Sequence, residues 1–271
     1  MAVQPVGDYW QFTVAAPGVA AGFRPGQFVA VAVGGPETSM LLRRCFALYG
    51  ADADGTVRFV VAEHGPGTSW LVRQEVGDVL DLVGPLGTPF MLPAETGPAV
   101  LVGGGYGTAP LIPLARELIA VGSTVEFILG AATASRLFGE PAARRTVGGV
   151  TVTTDDGSAG VRGRVTDVLS DVITRIGARM VYACGPMPML RAVDDAARPH
   201  GVAVQVAVEE AMACGIGVCM TCVLPVRGED GRSRFVRSCV EGPVFAADRV
   251  RWDDVGRLPD DLVGADAMRG H

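Results

Sequence analysis

The chain has 271 residues, of which 49% are hydrophobic and 19% charged, and its formal net charge is −6. This is the composition of a folded globular protein, and the length suggests about two domains. The negative charge argues against binding to nucleic acid. No apolar run is long enough to span a membrane, and the first five residues do not resemble a signal peptide. We therefore expect a cytoplasmic protein.

Residues 1–93 predict an antiparallel β domain, either a sandwich or a small barrel. Short apolar segments alternate here with Gly, Pro and Asp turns, a pattern typical of such folds. The predicted strands cover residues 9–14, 27–33, 46–49, 57–62 and 79–83.

Three stretches of this domain suggest a bound nucleotide. Arg43 and Arg44 directly precede a predicted strand, and residues 84–90 form a glycine-containing turn. Residues 65–69 (GPGTS) offer backbone N–H groups and hydroxyls, which suit a phosphate. Each stretch alone is a common surface feature, and one arginine of the pair is expected to be a solvated edge residue. Together the three favour a nucleotide cofactor.

Residues 94–208 predict an α/β domain with a mostly parallel sheet. A continuous apolar run at 99–102 is typical of a strand buried on both faces, and it leads into a glycine-rich turn at 103–108 (GGGYGT). The helix that follows has Pro110 near its start. Further strands are predicted at 125–129, 150–154, 180–184 and 202–208, with helices at 165–176 and 187–198.

Ligands of parallel sheets bind at the carboxyl ends of the strands. A strand, glycine turn and helix in succession aim a helix N-terminus at a pyrophosphate, although Thr108 departs from the strict GxGxxG pattern. The residues at two such strand ends are therefore candidates for a nicotinamide nucleotide: Gly103, Gly104, Gly105, Gly107, Thr108, Cys184, Gly185 and Pro186. The acidic pair Asp155 and Asp156 follows another strand and slightly favours NADH over NADPH, although Asp-Gly is also an ordinary turn signal.

Four of the six cysteines stand in a C-x4-C-x2-C…C pattern within a predicted module of residues 209–245: Cys214, Cys219, Cys222 and Cys239. This is the spacing of plant-type [2Fe–2S] ligation. A structural zinc site usually pairs its cysteines in two knuckles, and Cys239 has no neighbouring cysteine. The pattern favours an iron–sulfur cluster, with zinc and unliganded thiols as alternatives. Residues 246–271 predict a tail that is either docked or frayed.

The order of these features resembles the ferredoxin–NADP reductase-type flavoproteins, and most closely the electron-transfer subunits of class B dihydroorotate dehydrogenase. The passages that carry the resemblance are residues 42–47 (LRRCFA), 156–160 (DGSAG), 184–190 (CGPMPML), 209–222 (EEAMACGIGVCMTC) and 242–245 (GPVF). The resemblance implies an antiparallel FAD-binding β-barrel, a parallel-sheet NAD-binding α/β domain and a small C-terminal [2Fe–2S] module.

By this resemblance, FAD contacts Arg44, Cys45, Phe46, Ala47, Val60, Val61, Ala62, Gly67 and Thr68, with Arg44 on the pyrophosphate and Phe46 beside the flavin. The chain departs from the family at Ala47, where a Ser is usual, and at Cys45, where a Pro is commoner. Losing one hydrogen bond at Ala47 costs about 1 kcal/mol or shifts the flavin potential without abolishing binding.

The resemblance further implies an oxidoreductase that passes electrons between NAD(H), FAD, the cluster and a partner, with no side chain acting as a general acid. The implied partner is the catalytic subunit of dihydroorotate dehydrogenase, which oxidises dihydroorotate to orotate in pyrimidine biosynthesis, within a hetero-oligomer. One alternative is an NAD(P)H-dependent reductase for a hydrogenase, an oxygenase or another dehydrogenase. An alternative from another class is a non-enzymatic binding module held together by zinc.

Overall fold

The computed structural model describes residues 1–35 and 38–264. Its first part is an antiparallel sheet of six strands in the order β1-β2-β5-β4-β3-β6. The antiparallel architecture predicted from the sequence is confirmed. The strands are β1 (Ala2–Val6), β2 (Tyr9–Ala15), β3 (Phe28–Val31), β4 (Arg44–Ala51), β5 (Thr56–Ala62) and β6 (Leu82–Leu86), with short helices α1 (Pro17–Ala20) and α2 (Pro66–Leu71).

Two strands of this sheet differ from the sequence prediction. β1 was not predicted, because an edge strand that contains Gln4 and Pro5 has no clear apolar alternation. β6 begins three residues later than expected, and Val79, counted as a strand residue, is 92% exposed and precedes it. Apolar residues on both sides of Asp81 fit either register, so pattern alone does not place this strand.

The two faces of β5 decide which of its side chains reach a ligand. Phe59 and Val61 are fully buried in the core of the antiparallel sheet, where the Phe59 ring stacks on that of Phe12 at 5.2 Å between centroids. Val60 and Ala62 lie on the opposite face because side chains alternate along a strand. That face turns toward the second part of the molecule.

The second part is a seven-stranded sheet in the order β10-β9-β8-β7-β11-β12-β15, parallel except for the antiparallel pairing of β15 with β12. The predicted parallel sheet is confirmed. Its strands are β7 (Ala99–Gly104), β8 (Val125–Ala131), β9 (Gly149–Thr154), β10 (Val161–Arg162), β11 (Met180–Cys184), β12 (Ala203–Ala207) and β15 (Val244–Ala246).

Helices cover both faces of this sheet: α3 (Leu111–Ala120), α4 (Glu140–Thr146), α5 (Val165–Ile176) and α6 (Met187–Ala197). The short α4 was not predicted because its sequence, EPAARRT, carries no apolar stripe. Among the described residues, no helix is long and apolar enough to cross a membrane.

The cysteine-bearing segment is joined to the parallel sheet through the strand that follows it. β13 (Val223–Arg227) and β14 (Ser233–Arg237) form a separate hairpin, whereas β15 extends the large sheet. The chain beyond β15 is docked as far as residue 263, since Ala247 and Val250 are buried in the α/β core and the Val263 N–H donates to the Ser233 carbonyl at 3.0 Å. The Trp252 indole N–H also donates to the Asp194 carboxylate at 3.1 Å. The rest of the predicted tail, residues 265–271, lies outside the described residues.

Candidate functional site

A cavity of about 510 Å³ lies where the antiparallel sheet, the α/β domain and the segment before residues 214–222, here called the cysteine loop, meet. β4 and β5 supply one wall, and residues 207–212 supply part of another. The residues predicted for FAD that line the cavity are Arg44, Cys45, Phe46, Ala47, Val60, Ala62 and Thr68. We call this space the flavin cavity.

Two residues predicted for FAD are placed differently. Val61 is fully buried and faces the core, so its side chain does not reach the flavin cavity. Gly67 does not line the cavity but supports Arg44, because a Cβ at Gly67 would lie 2.8 Å from the Arg44 Nε. The absence of a side chain at Gly67 therefore makes room for the guanidinium.

The two neighbouring arginines have different environments. Arg43 forms an ion pair with Asp81 at 2.6 Å, and its hydrogen bonds hold the pKa of the Asp81 carboxyl below its usual value. Arg44 donates to the Leu42 carbonyl at 2.7 Å and presents its charge to the flavin cavity. Arg44 is thus the arginine available to an anionic ligand, and Arg43 is the edge residue.

A second cavity, of about 440 Å³, lies at the carboxyl edge of the parallel sheet, and we call it the nucleotide cavity. Gly104, Gly105 and Pro186, all predicted for a nicotinamide nucleotide, line it. Thr153 also lines it, and its hydroxyl is buried without a hydrogen-bond partner in the described structure. An unsatisfied buried polar group is costly, so this hydroxyl is suited to a polar ligand.

The remaining residues predicted for the nucleotide divide into two groups. Gly107, Cys184 and Gly185 line the flavin cavity, and burial raises the pKa of the Cys184 thiol to about 12. Gly103 and Thr108 line neither cavity. They pack on each other, since a Cβ at Gly103 would lie 2.4 Å from the Thr108 Oγ1. The glycine turn therefore borders both cavities, and the packing of Gly103 on Thr108 supports it on the side away from them.

Several lining residues were missed by sequence reasoning. Tyr106 stood within the glycine turn and Glu209 within the Glu-Glu pair before the cysteines, but neither was assigned a site role. Tyr9 and Arg136 line the nucleotide cavity and gave no local signal. They come together because the Tyr9 hydroxyl donates to the Arg136 carbonyl at 2.9 Å, across 127 residues of sequence.

The cysteine loop is arranged to hold anionic sulfur. Three backbone N–H groups, from Ile216, Val218 and Cys219, donate to the Cys214 Sγ at 3.4–3.5 Å. Hydrogen bonds from Thr221 lower the pKa of the Cys219 thiol to about 6. N–H groups directed at thiolates are the outer contacts that a sulfur-ligated metal centre needs.

The four thiols lie in one small region of the structure. The Cys219 backbone N–H donates to the Cys214 Sγ, and Cys222 and Cys239 are buried together beside Phe28. Among the described residues, no three His, Cys, Asp or Glu side chains converge on a single metal-ion position. The preference for an iron–sulfur cluster over zinc therefore rests on the spacing of the cysteines along the chain.

A fifth thiol joins the loop to the flavin cavity. Cys45 lines that cavity, and a Cβ at Gly215 would lie 3.1 Å from its Sγ. Cys45 also packs with Phe28 against the buried Cys222 and Cys239. Burial raises the pKa of the Cys45 thiol to about 12, so it stays protonated. The flavin cavity and the cysteine loop are therefore in direct contact.

Comparison with known proteins agrees with this arrangement. Residues 209–251 match the family model described as the iron–sulfur cluster binding domain of dihydroorotate dehydrogenase B. The electron transfer subunit of dihydroorotate dehydrogenase B (NAD(+)) from Geobacillus thermodenitrificans is 39% identical over 244 residues, which cover 89% of this chain and 92% of that protein. The chain belongs to this family. The corresponding subunit from Bacillus caldolyticus is 40% identical over 84% of this chain and 86% of its own.

Solved structures place the electron transfer subunit family within a wider fold. The structure of an NADH-dependent reduced ferredoxin–NADP oxidoreductase superposes with a TM-score of 0.83 at 32% identity, covering 95% of this chain and 91% of that one. A cytochrome P450 reductase from Amycolatopsis superposes with a TM-score of 0.57 at 25% identity, over 73% of this chain and 64% of that one. The match at residues 209–251 also favours iron–sulfur over zinc for the four cysteines.

Proposed function

We propose that this chain carries electrons between NAD(H) and the catalytic subunit of a dihydroorotate dehydrogenase, through FAD and a [2Fe–2S] cluster. Family membership supports the partner and the nicotinamide, because relatives that align over most of the chain are electron transfer subunits of dihydroorotate dehydrogenase B (NAD(+)). In this complex, dihydroorotate is oxidised to orotate and its two electrons reduce NAD⁺. The chain acts as the electron-transfer part of a hetero-oligomeric oxidoreductase.

The observation that carries the proposal is the continuity of the three sites. The flavin cavity borders the nucleotide cavity through the glycine turn, and it borders the cysteine loop through the contact of Cys45 with Gly215. NAD(H) exchanges two electrons as a hydride, whereas an iron–sulfur cluster exchanges one at a time. A flavin exchanges electrons in both ways when bound, so it belongs between the two.

Residues of the flavin cavity fit FAD. Arg44, held over Gly67, is the cation for the pyrophosphate, and a planar guanidinium suits phosphate oxygens. Phe46, with its ring stacked on Phe59 at 5.3 Å between centroids, offers an apolar wall to the flavin ring. Val60 and Ala62 continue that wall. The Ala47 side chain lines the cavity and has no polar atom, so it supplies no hydrogen bond to the flavin.

Residues of the nucleotide cavity fit NAD(H). Gly104 and Gly105 allow close approach to the backbone, and the unpartnered Thr153 hydroxyl supplies a polar contact. Asp155 lines the same cavity at the end of β9. A carboxylate there repels the extra phosphate of NADPH, which supports NADH. Gly107, Cys184 and Gly185 in the flavin cavity mark the nicotinamide end of the path.

The proposal is tested on the full-length protein purified without oxygen. We expect bound FAD, two irons per chain and loss of the flavin absorbance on mixing with NADH. Co-expression with the catalytic subunit of a dihydroorotate dehydrogenase should give a complex that reduces NAD⁺ with dihydroorotate. A colourless protein, or one holding zinc without iron, would refute the electron path.

One specific observation supports a second candidate function. The superposed NADH-dependent reduced ferredoxin–NADP oxidoreductase matches this chain over almost its whole length. A subunit of that kind would serve a partner other than a dihydroorotate dehydrogenase. Failure to form a complex with the catalytic subunit, together with intact reduction of the flavin by NADH, would favour this second function.

We also place the protein in the cytoplasm. None of the six cysteines, all of which are described residues, is paired in a disulfide, and proteins of a reducing compartment rarely contain disulfides. Fractionation of the producing cells, followed by detection of the flavin and iron, tests this location.

A further inference from the structure

Two residues line both cavities, and they are bonded to each other. Among the described residues, only Tyr106 and Glu209 occur in the lining of the nucleotide cavity and of the flavin cavity. The Tyr106 hydroxyl donates a hydrogen bond to the Glu209 carboxylate. The bonded pair therefore forms part of the boundary between the two spaces.

The pair is held by three different segments of the chain. Tyr106 lies on the turn after β7, and its ring packs edge-on against Tyr9 of β2 at 5.5 Å between centroids. Glu209 follows β12 and leads into the cysteine loop. Burial raises the pKa of the Tyr106 phenol, and the adjacent Glu209 raises it further, so the phenol remains a donor. Tyr106 is thus supported on one side and bonded on the other.

We propose that the Tyr106–Glu209 hydrogen bond is a gate, which the nicotinamide end of NAD(H) must open to reach the flavin cavity. This inference rests on the proposed function, because it requires one nucleotide to occupy both cavities. A nucleotide that opens the gate loses part of its binding free energy to breaking the bond. The apparent affinity for NAD(H) equals the affinity of the open form multiplied by the fraction of molecules in which the gate is open.

The test compares two ligands of the full-length protein loaded with FAD and its cluster in the oxidised state. NAD⁺ carries a nicotinamide, which must pass the gate. ADP-ribose lacks the nicotinamide and should bind in the nucleotide cavity with the gate closed. In Tyr106→Phe, which keeps the ring and loses the hydroxyl, we expect NAD⁺ to bind about fivefold tighter by calorimetry, as for one lost hydrogen bond. The affinity for ADP-ribose should not change.

A matched control comes from a tyrosine of the protein core that is outside both cavity linings. The Tyr182 hydroxyl donates to the Met91 carbonyl at 3.0 Å, and Tyr182 lines neither cavity. Tyr182→Phe also loses one hydrogen bond of a tyrosine hydroxyl, but it does not touch the boundary between the cavities. Its affinities for NAD⁺ and for ADP-ribose should both equal those of the unmodified protein.

A second variant tests the bond rather than the tyrosine alone. Glu209→Gln keeps an acceptor but removes its charge, which weakens the bond, so NAD⁺ binding should tighten less than in Tyr106→Phe. The double variant should bind NAD⁺ no tighter than Tyr106→Phe, because the two changes act on one interaction. Fully additive effects would show that the two residues act separately and would overturn the gate.

The remaining outcomes separate the gate from the proposed function. If the unmodified protein binds both ligands but Tyr106→Phe binds NAD⁺ equally or more weakly, the gate is refuted and the nucleotide site stands. An equal gain for NAD⁺ and ADP-ribose also refutes it, since the substitution would then have reshaped the nucleotide cavity. If the unmodified protein binds neither ligand, the nucleotide site and the gate both fail.

Discussion

The Arg44 guanidinium packs directly over Gly67, so that a Cβ at Gly67 would lie 2.8 Å from the Arg44 Nε. Arg44 comes from β4 and Gly67 from α2, and their contact aims the positive charge into the flavin cavity. The lack of a side chain at Gly67 therefore determines the position of Arg44, the candidate cation for a phosphate.

We expect Gly67→Ala to displace Arg44 and weaken FAD binding by about tenfold, the usual scale for losing one charge-assisted hydrogen bond. Gly65→Ala is the matched control, because a Cβ at Gly65 meets nothing within 4 Å. The FAD content after gel filtration and the dissociation constant from flavin fluorescence measure the effect. Equal FAD affinity in the two variants would show that Gly67 does not position Arg44.

Gly215 of the cysteine loop can be compared with Gly231, a glycine with a similar φ angle in the turn between β13 and β14. Gly215 and Gly231 have φ angles of +73° and +78°, but only Gly215 is crowded, by the Cys45 Sγ at 3.1 Å from an added Cβ. Both Ala variants carry a left-handed backbone cost of about 1–2 kcal/mol. We expect Gly215→Ala to lose most of its iron and Gly231→Ala to keep it. Iron measured per chain decides, and equal iron content would refute the crowding argument.

Cys45 lies beside the cysteine loop but does not belong to the four-cysteine pattern. We expect Cys219→Ser to lose the cluster, because a thiolate ligand is replaced by a hydroxyl that binds iron poorly. Cys45→Ser should keep two irons per chain and the same electron paramagnetic resonance type in the reduced state. Loss of iron in Cys45→Ser, with retention of iron in Cys219→Ser, would show that Cys45 rather than Cys219 is a ligand of the cluster.

Asp155 lines the nucleotide cavity just after β9, and Glu209 is a second acidic residue of the same lining. Removing its charge in Asp155→Asn should raise kcat/KM for NADPH by about tenfold, since one nearby repulsive charge is worth about 1–2 kcal/mol at partial exposure. Asp171→Asn, an exposed change on α5 outside both cavity linings, is the control. The ratio of NADPH to NADH activity is measured by flavin reduction. An unchanged ratio in Asp155→Asn would contradict a role in nucleotide choice.

Much of the fold could be read from local pattern. α5 and β11 have the predicted bounds, Val165–Ile176 and Met180–Cys184, because each carries an apolar periodicity bounded by clear signals. β1 and α4 lacked such a pattern and were missed. Within the candidate flavin site, neighbours in sequence such as Val60 and Val61 could not be separated, since the face of β5 that meets the cavity depends on the packing of β2 and β4 around it.

The sequence by itself determined the order of the three parts of the chain, and its spacing singled out the four cysteines expected to hold the cluster. It could do so because strand and helix periods, glycine turns and ligand spacing are encoded over a few residues. Tertiary structure alone decided which residues share a cavity. Tyr106 meets Glu209 across 103 residues, and Tyr9 meets Arg136 across 127. Such contacts depend on how the two sheets pack against each other, and no local period carries that information.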